Sequence, residues 1–134
     1  MKTLQRKRIL GFTIIELMIV LMIVAILLAL AYPSYTQYAR KAKRGEAQQL
    51  ILNWSINQEI WRSNNSEYAS TTNLPAPTND HYAFDTIGTL DGANYTLQAD
   101  GGGDQVNDKA RDGTPCKTLT MNQSGVKLPA PCWE

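Results

Sequence analysis

Apolar and polar positions divide the chain into three regimes. Residues 12–32 (FTIIELMIVLMIVAILLALAY) hold a single acid, Glu16, and no Gly or Pro until Pro33. As a helix rising ~1.5 Å per residue, this run spans roughly 30 Å, the thickness of a bilayer's hydrocarbon core. It has no polar face, so it does not read as the buried helix of a globular domain. One segment cannot close a barrel, which leaves the helix as its backbone solution in lipid. From Glu46 the pattern changes. Ala47, Leu50, Ile51, Trp54, Gln58 and Trp61 recur at steps of three or four and form one stripe, with Gln49, Asn53, Asn57 and Arg62 off it. The breaker cluster Ser63-Asn64-Asn65-Ser66 ends the stripe. One helix is therefore expected from about Phe12 to Arg62, with residues 33–62 its amphipathic half. Pro33 should bend it, because proline lacks a donor and clashes with the preceding turn, and Gly45 should loosen it. Trp54 and Trp61 are expected as core anchors.

The third regime, residues 63–134, reads as loop and strand. Residues 67–80 lack periodicity, hold Pro75 and Pro77, and read as a surface loop. Three β-like runs follow. Residues 81–86 alternate imperfectly, 94–99 put Tyr95 and Leu97 on one face, and 117–122 put Leu119 and Met121 on one face. Asp91-Gly92 and Gly101-Gly102-Gly103 are turn signals, and Gly125 and Val126 are expected to open a short fourth strand. The fold class is α+β: a long kinked helix packed on a small antiparallel sheet.

Mean hydropathy is -0.29 despite the apolar run, so the part after Pro33 is a polar, soluble body. The whole chain has a formal charge of +1. From Gly45 onward five basic residues face eleven acidic ones, a balance of −6 that argues against nucleic acid as a partner. Tyr32, Tyr35 and Tyr38 cluster as aromatics do at a membrane interface. Arg40, Lys41, Lys43 and Arg44 follow, either as a solvated helix face or as contacts to lipid headgroups and acidic neighbours. Asp100, Asp104, Asp108 and Asp112 recur every four residues without the dense alternating acids of an EF-hand, and read as a solvated acidic loop with no metal. His81 is the sole histidine and has no nucleophile at a catalytic spacing, so it reads as structural. With no nucleophile–base set and no metal cluster in view, neither an enzyme nor a cofactor is expected.

Residues 1–11 carry Lys2, Arg6, Lys7 and Arg8 and no acid. The positive-inside bias keeps that end cytoplasmic and sends the chain after Tyr32 across the membrane. A secretory signal has the same outline, and Ala29-Leu30-Ala31 would serve as its cleavage site. Glu16 separates the two readings. A carboxylate one turn into a membrane helix costs about 2–3 kcal/mol, so it needs a cation. A cut between Gly11 and Phe12 would create an α-amine four residues before Glu16, able to meet the carboxylate of an adjacent copy. Outside the cytoplasm, Cys116 and Cys132 are expected as a disulfide closing a loop of about 15 residues, worth ~3 kcal/mol in the chain-entropy model. Free thiols or half a metal site are the alternatives.

The basic leader, the segment Gly11-Phe12-Thr13-Ile14-Ile15-Glu16-Leu17 and the apolar run together resemble the class III signal of type IV prepilins and related pseudopilins. The resemblance implies that residues 1–11 are a leader, that a membrane prepilin peptidase cuts after Gly11, and that Phe12 is then methylated. It makes Glu16 the fifth mature residue and an assembly residue, puts Pro33 where such helices carry a proline, and implies a carboxy-terminal disulfide loop. The stretch LTMNQSGVK before Cys132-Trp133 is similar to minor pilins of the PilE type. The expectation is a structural subunit of a type IV pilus, a minor pilin serving pilus biogenesis, twitching motility and adhesion. A major pilin and a DNA-binding competence pilin are the alternatives, with Lys109, Arg111, Lys117 and Lys127 as the DNA contacts in the last case. The implied partners are other pilin subunits, the peptidase and the inner-membrane assembly machinery. The precursor would be single-pass in a bacterial inner membrane with its C-terminus periplasmic, becoming extracellular on assembly.

Overall fold

A computed structural model describes residues 11–88 and 93–134. Residues 1–10 of the expected leader and the Asp91-Gly92 turn signal lie outside the described residues. The chain divides into two compact units, Met1–Thr36 and Gln37–Glu134. Helix α1, Ile14–Asn64, is continuous and contains Pro33.

In the first unit the helix starts on a side-chain cap. The Glu16 N–H donates to Thr13 Oγ1 at 3.2 Å, satisfying one of the donors that every helix leaves open in its first turn. Thr13-Ile14-Ile15-Glu16 has the spacing of a capping box, a signal present in the sequence beside the assembly motif. Every residue from Gly11 to Tyr35 is exposed, the large apolar side chains from Phe12 at 86% down to Val24 at 44%. The helix passes Pro33, where the lost N–H is local, and the Thr36 hydroxyl donates to the Pro33 carbonyl at 2.9 Å. Gly45, expected to loosen the helix, stays within it.

The second unit has its own core. Ala47, Ile51 and Trp54 of α1 pack with Tyr82, Tyr95, Leu97, Ala99, Leu119, Cys116 and Cys132. The helix stripe is therefore real, but its edges differ from the sequence reading. Trp54 is buried, whereas Leu50 and Trp61 are half-exposed. Gln58 makes the last buried contact of the helix: its amide donates to the Ala69 carbonyl and accepts from the Ala69 N–H, both at 2.9 Å. Trp61, nearly one turn later, lies past the last buried residue of the helix and is not a core anchor.

The sheet runs in the order β1-β2-β3-β4, antiparallel throughout. Its strands are β1 Tyr82–Thr86, β2 Thr96–Gly101, β3 Thr118–Asn122 and β4 Lys127–Leu128. The register pairs Ala99 with both Phe84 and Leu119, and Leu97 with Met121, placing the apolar residues on one face. Gly125 and Val126 do not open the fourth strand. Asn122 Oδ1 accepts from the Ser124 and Val126 amides, Gly125 takes φ 75°, and the resulting turn delays β4 to Lys127. Gly101 is more than a turn residue. A Cβ there would lie 2.9 Å from Gln105 Cβ and 3.0 Å from the Lys117 carbonyl, so only glycine lets these segments close.

Cys116 and Cys132 form a disulfide, as expected, with both residues fully buried. Replacing both by serine should lower unfolding free energy by about 3 kcal/mol, the loop-closure entropy of a cross-link of this span. Denaturant melting of the detergent-solubilised chain, with and without reductant, measures it.

Candidate assembly surface and nucleic-acid interface

Gly11 and Phe12 lead into α1, and Glu16 lies in its first turn, where the helix dipole favours an acid. Among the described residues no cation pairs with Glu16. The site thus consists of an exposed apolar helix with one carboxylate and, among the described residues of the first unit, nothing to cover it. Such a surface is stable only in lipid or against other apolar helices.

In the second unit, polar side chains of α1 form a ladder at a four-residue step. Arg40 makes two parallel bonds to Asp104, Nε to Oδ2 at 2.9 Å and Nη2 to Oδ1 at 2.7 Å. Arg44 Nη1 donates to Asp108 Oδ2 at 2.8 Å and reaches the Lys109 carbonyl at 3.4 Å. Gln48 Nε2 donates to the Cys132 carbonyl at 2.7 Å. Between the first two rungs, Gln105 Nε2 donates to the Arg40 carbonyl at 3.2 Å and to the Tyr82 hydroxyl at 3.0 Å. The two ion pairs differ in setting. Side chains of Arg44 and Asp108 are only 4% and 3% exposed, while Asp104 is 53% exposed. Hydrogen bonds from Arg40 hold the Asp104 carboxyl below the usual carboxylate range. Burial pushes the Asp108 carboxyl up, against the pull of Arg44.

This ladder corrects two expectations in part. Arg40 and Arg44 are the partners of the loop acids Asp104 and Asp108, Arg44 buried and Arg40 in a part-exposed pair. Of the four aspartates, Asp104 and Asp112 are exposed as a solvated loop requires, Asp100 is half-buried, and only Asp108 is withdrawn from solvent. Asp100 accepts from the Thr118 hydroxyl at 2.6 Å and lies 3.7 Å from Lys117 Nζ, and Asp112 accepts from the Thr114 amide and hydroxyl, both at 2.9 Å. The physical reason is register. Residues four apart on a helix face one way, and the turn at Gly103–Asn107 presents Asp104 and Asp108 at a matching step. The −6 balance counted from Gly45 also changes meaning, because it leaves out the helix cations. Over the whole second unit, nine basic residues stand against eleven acidic ones.

Lys109, Arg111 and Lys117 are exposed on one short segment. Residues 109–115 form a small hairpin, with a bridge between Lys109 and Pro115 and the Ala110 amide donating to the Thr114 carbonyl at 2.8 Å. Lys127 stands apart on β4. Its ammonium lies 5.3 Å from the centre of the Trp133 ring, a cation–π contact, and Trp133 Nε1 donates to the Leu128 carbonyl at 3.3 Å. The structure thus gathers three of the four candidate cations and gives the fourth a local partner. His81 is half-buried, and its backbone carbonyl accepts from the Gly102 amide. Gln48, Gln105 and the pairing of Arg44 were not read from the sequence; the matched period of four in residues 40–48 and 104–108 was the available signal.

Comparison with known proteins places this geometry. Residues 6–32 match the prokaryotic N-terminal methylation motif. Residues 33–120 match the family described as "Type IV minor pilin ComP, DNA uptake sequence receptor". A fimbrial protein of Neisseria meningitidis serogroup A is 40% identical over 83 residues, covering 55% of this chain and 46% of that protein. The type IV major pilin PilE1 of Neisseria gonorrhoeae is 42% identical over 72 residues, covering 48% and 32%. The chain thus spans less than half the length of these curated relatives. A type IV pilin from Shewanella oneidensis has the same fold, with a TM-score of 0.56 and 27% identity over 71% of this chain and 98% of that one. These are structural pilins rather than enzymes. With more than half of its length matched by that family, the chain belongs to the ComP type IV minor pilins.

Proposed function

We propose that the chain is a minor subunit of a type IV pilus, held first in the inner membrane and then in the filament. The observation that carries this is the exposed apolar helix behind Gly11-Phe12, with Glu16 as its one acid. The methylation motif and the apolar helix fit an inner-membrane precursor that passes into a pilus. In this reading the precursor is single-pass with its carboxy-terminal body periplasmic. Prepilin peptidase cuts after Gly11, Phe12 is methylated, and the inner-membrane assembly machinery inserts the subunit among other pilins. Lipid tails are as apolar as the helix, so extraction gains little from burial alone. Close side-chain packing and the pairing of Glu16 with a neighbour's new amine must direct docking. Head-to-tail repetition of such contacts gives an open filament. The stoichiometry of this chain in sheared pili tests the assignment: one copy among many supports a minor subunit, and near-equality with the bulk subunit refutes it.

A second role, DNA binding by the second unit, is favoured by a specific observation. Arg40 and Arg44 neutralise Asp104 and Asp108, so the exposed charges of the 109–117 segment are Lys109, Arg111 and Lys117, opposed by Asp112 and Asp100. The description of the matched family supports the same reading. Neutralising Lys109, Arg111, Lys117 and Lys127 together should weaken DNA binding by at least about tenfold at near-physiological salt while the chain still enters filaments. Unchanged DNA affinity in that variant would sink this role and leave the filament role standing.

A further inference from the structure

The 109–115 hairpin leaves the body at a joint built around Asp108. The Asp108 amide donates to the Gln105 carbonyl at 3.0 Å, and its carbonyl accepts the Cys116 amide at 2.9 Å. Its carboxylate is held by Arg44, whose same nitrogen reaches the next residue's carbonyl, Lys109. On the far side, Cys116 is tied to Cys132, and Gln48 holds the Cys132 carbonyl. Within the hairpin, the Gly113 amide donates to the Ala110 carbonyl at 3.0 Å and Gly113 takes φ 89°, a conformation that favours glycine. The result is a short finger with a fixed root and two cations, Lys109 and Arg111, at its exposed positions.

A buried ion pair is a poor choice for stability alone. The cost of desolvating both charges offsets their attraction, and apolar side chains of similar volume often serve as well. What a guanidinium supplies, and an apolar side chain does not, is direction. Arg44 bonds to two successive residues of the segment that launches the hairpin, so it fixes where Lys109 and the turn beyond it point. We propose that Arg44, through Asp108, is a positioning residue for nucleic-acid binding, orienting the 109–115 finger so that Lys109, Arg111 and Lys117 engage phosphates together. Arg44 itself touches no ligand. The inference rests on the DNA-binding reading above.

The test uses the full chain in non-ionic detergent and mixed-sequence duplex DNA, with affinity followed from low to physiological salt. The double variant Arg44→Met/Asp108→Leu removes both charges and leaves no buried ion behind. It should keep a cooperative melt. Its DNA affinity should fall by about tenfold and the slope of log affinity against log salt by about one, as when one phosphate contact is lost. Hydrogen exchange at the Ala110, Gly113 and Cys116 amides should quicken while Leu97 and Leu119 stay protected. A folded double variant with wild-type slope and wild-type hairpin exchange overturns the proposal. So does weaker binding with unchanged hairpin exchange, since the pair would then be acting through its charge. Should the double variant fail to fold, Arg44→Lys decides: it keeps the charge with a shorter, single-point reach, and wild-type slope and exchange in it refute positioning. A wild-type chain without salt-dependent DNA binding overturns both this inference and the DNA role. Wild-type binding with an indifferent double variant overturns the inference alone.

Discussion

A chain carrying Glu16→Ala should still be cut after Gly11 and methylated at Phe12, yet its amount in sheared filaments should fall by at least about tenfold, a loss of ~1.4 kcal/mol or more in docking preference. The sign is informative because the membrane favours the variant. A carboxylate in the first turns of a spanning helix costs about 2–3 kcal/mol, so alanine inserts more readily than glutamate. Poorer insertion therefore cannot explain a loss of assembly. The helix cap is also spared, since the Thr13 hydroxyl accepts from the backbone amide of residue 16 and not from its side chain. What remains is the missing partner for a neighbour's amino terminus. Glu16→Asp, which keeps the charge on a shorter arm, should recover part of the incorporation. Immunoblots of sheared filaments against whole-cell chain measure both, and wild-type filament levels in Glu16→Ala would refute the pairing.

Arg44→Ala should be the most damaging single change in the second unit, lowering its stability at neutral pH by about 3–5 kcal/mol. The cost arises because Asp108 stays behind, 3% exposed and without its ion-pair partner. Protonation limits the damage. Burial already pushes the Asp108 carboxyl above the usual carboxylate range with Arg44 present, and loss of the cation pushes it further. In the variant the folded state then holds a proton that the unfolded chain has released. Stability must therefore fall as pH rises through the interval between the two carboxyl values, and recover as pH drops below it. Denaturant melts at pH 5 and pH 7 check this, with the variant closer to wild type at pH 5. A pH-independent loss below about 1 kcal/mol would mean that the pair is not buried as described. The double variant Arg44→Met/Asp108→Leu differs in kind, since it strands no charge.

Much of this was legible in the residues. The run 12–32 is decisive because such an apolar stretch has few other homes, and Glu16 stands out because the surroundings penalise it. The stripe Ala47, Ile51, Trp54 and Gln58 follows from helical period, and strands β1 to β3 from alternation and turn residues. The Thr13 cap was readable too, from the Thr-x-x-Glu spacing, although the assembly motif overlies it. Periodicity was weakest at the edges. Trp61 keeps the helical step but lies beyond Gln58, the last buried residue of the helix. Gly125 and Val126 were taken by an Asn122 turn that competes locally with strand pairing.

The second unit's ion pairs were hidden for a different reason. Arg44 and Asp108 are 64 residues apart, and neither segment alone shows that its charges have partners. Each shows a period of four, read separately as a cationic helix face and an acidic loop. Only the fold, with Gly101 close against Lys117 and Gln105, lays the loop along the helix and pairs Arg40 and Arg44 with Asp104 and Asp108. Charge summed along a chain is a weak guide to surface charge where long-range pairs remove acids from view.

The central claim is that cleavage after Gly11 exposes an amino terminus that Glu16 of a neighbour receives in the filament. Intact mass and amino-terminal sequencing of this chain from sheared filaments test it most directly. The account predicts a chain beginning at a methylated Phe12; a filament-borne chain that retains residues 1–11, or the absence of this chain from filaments, would contradict it.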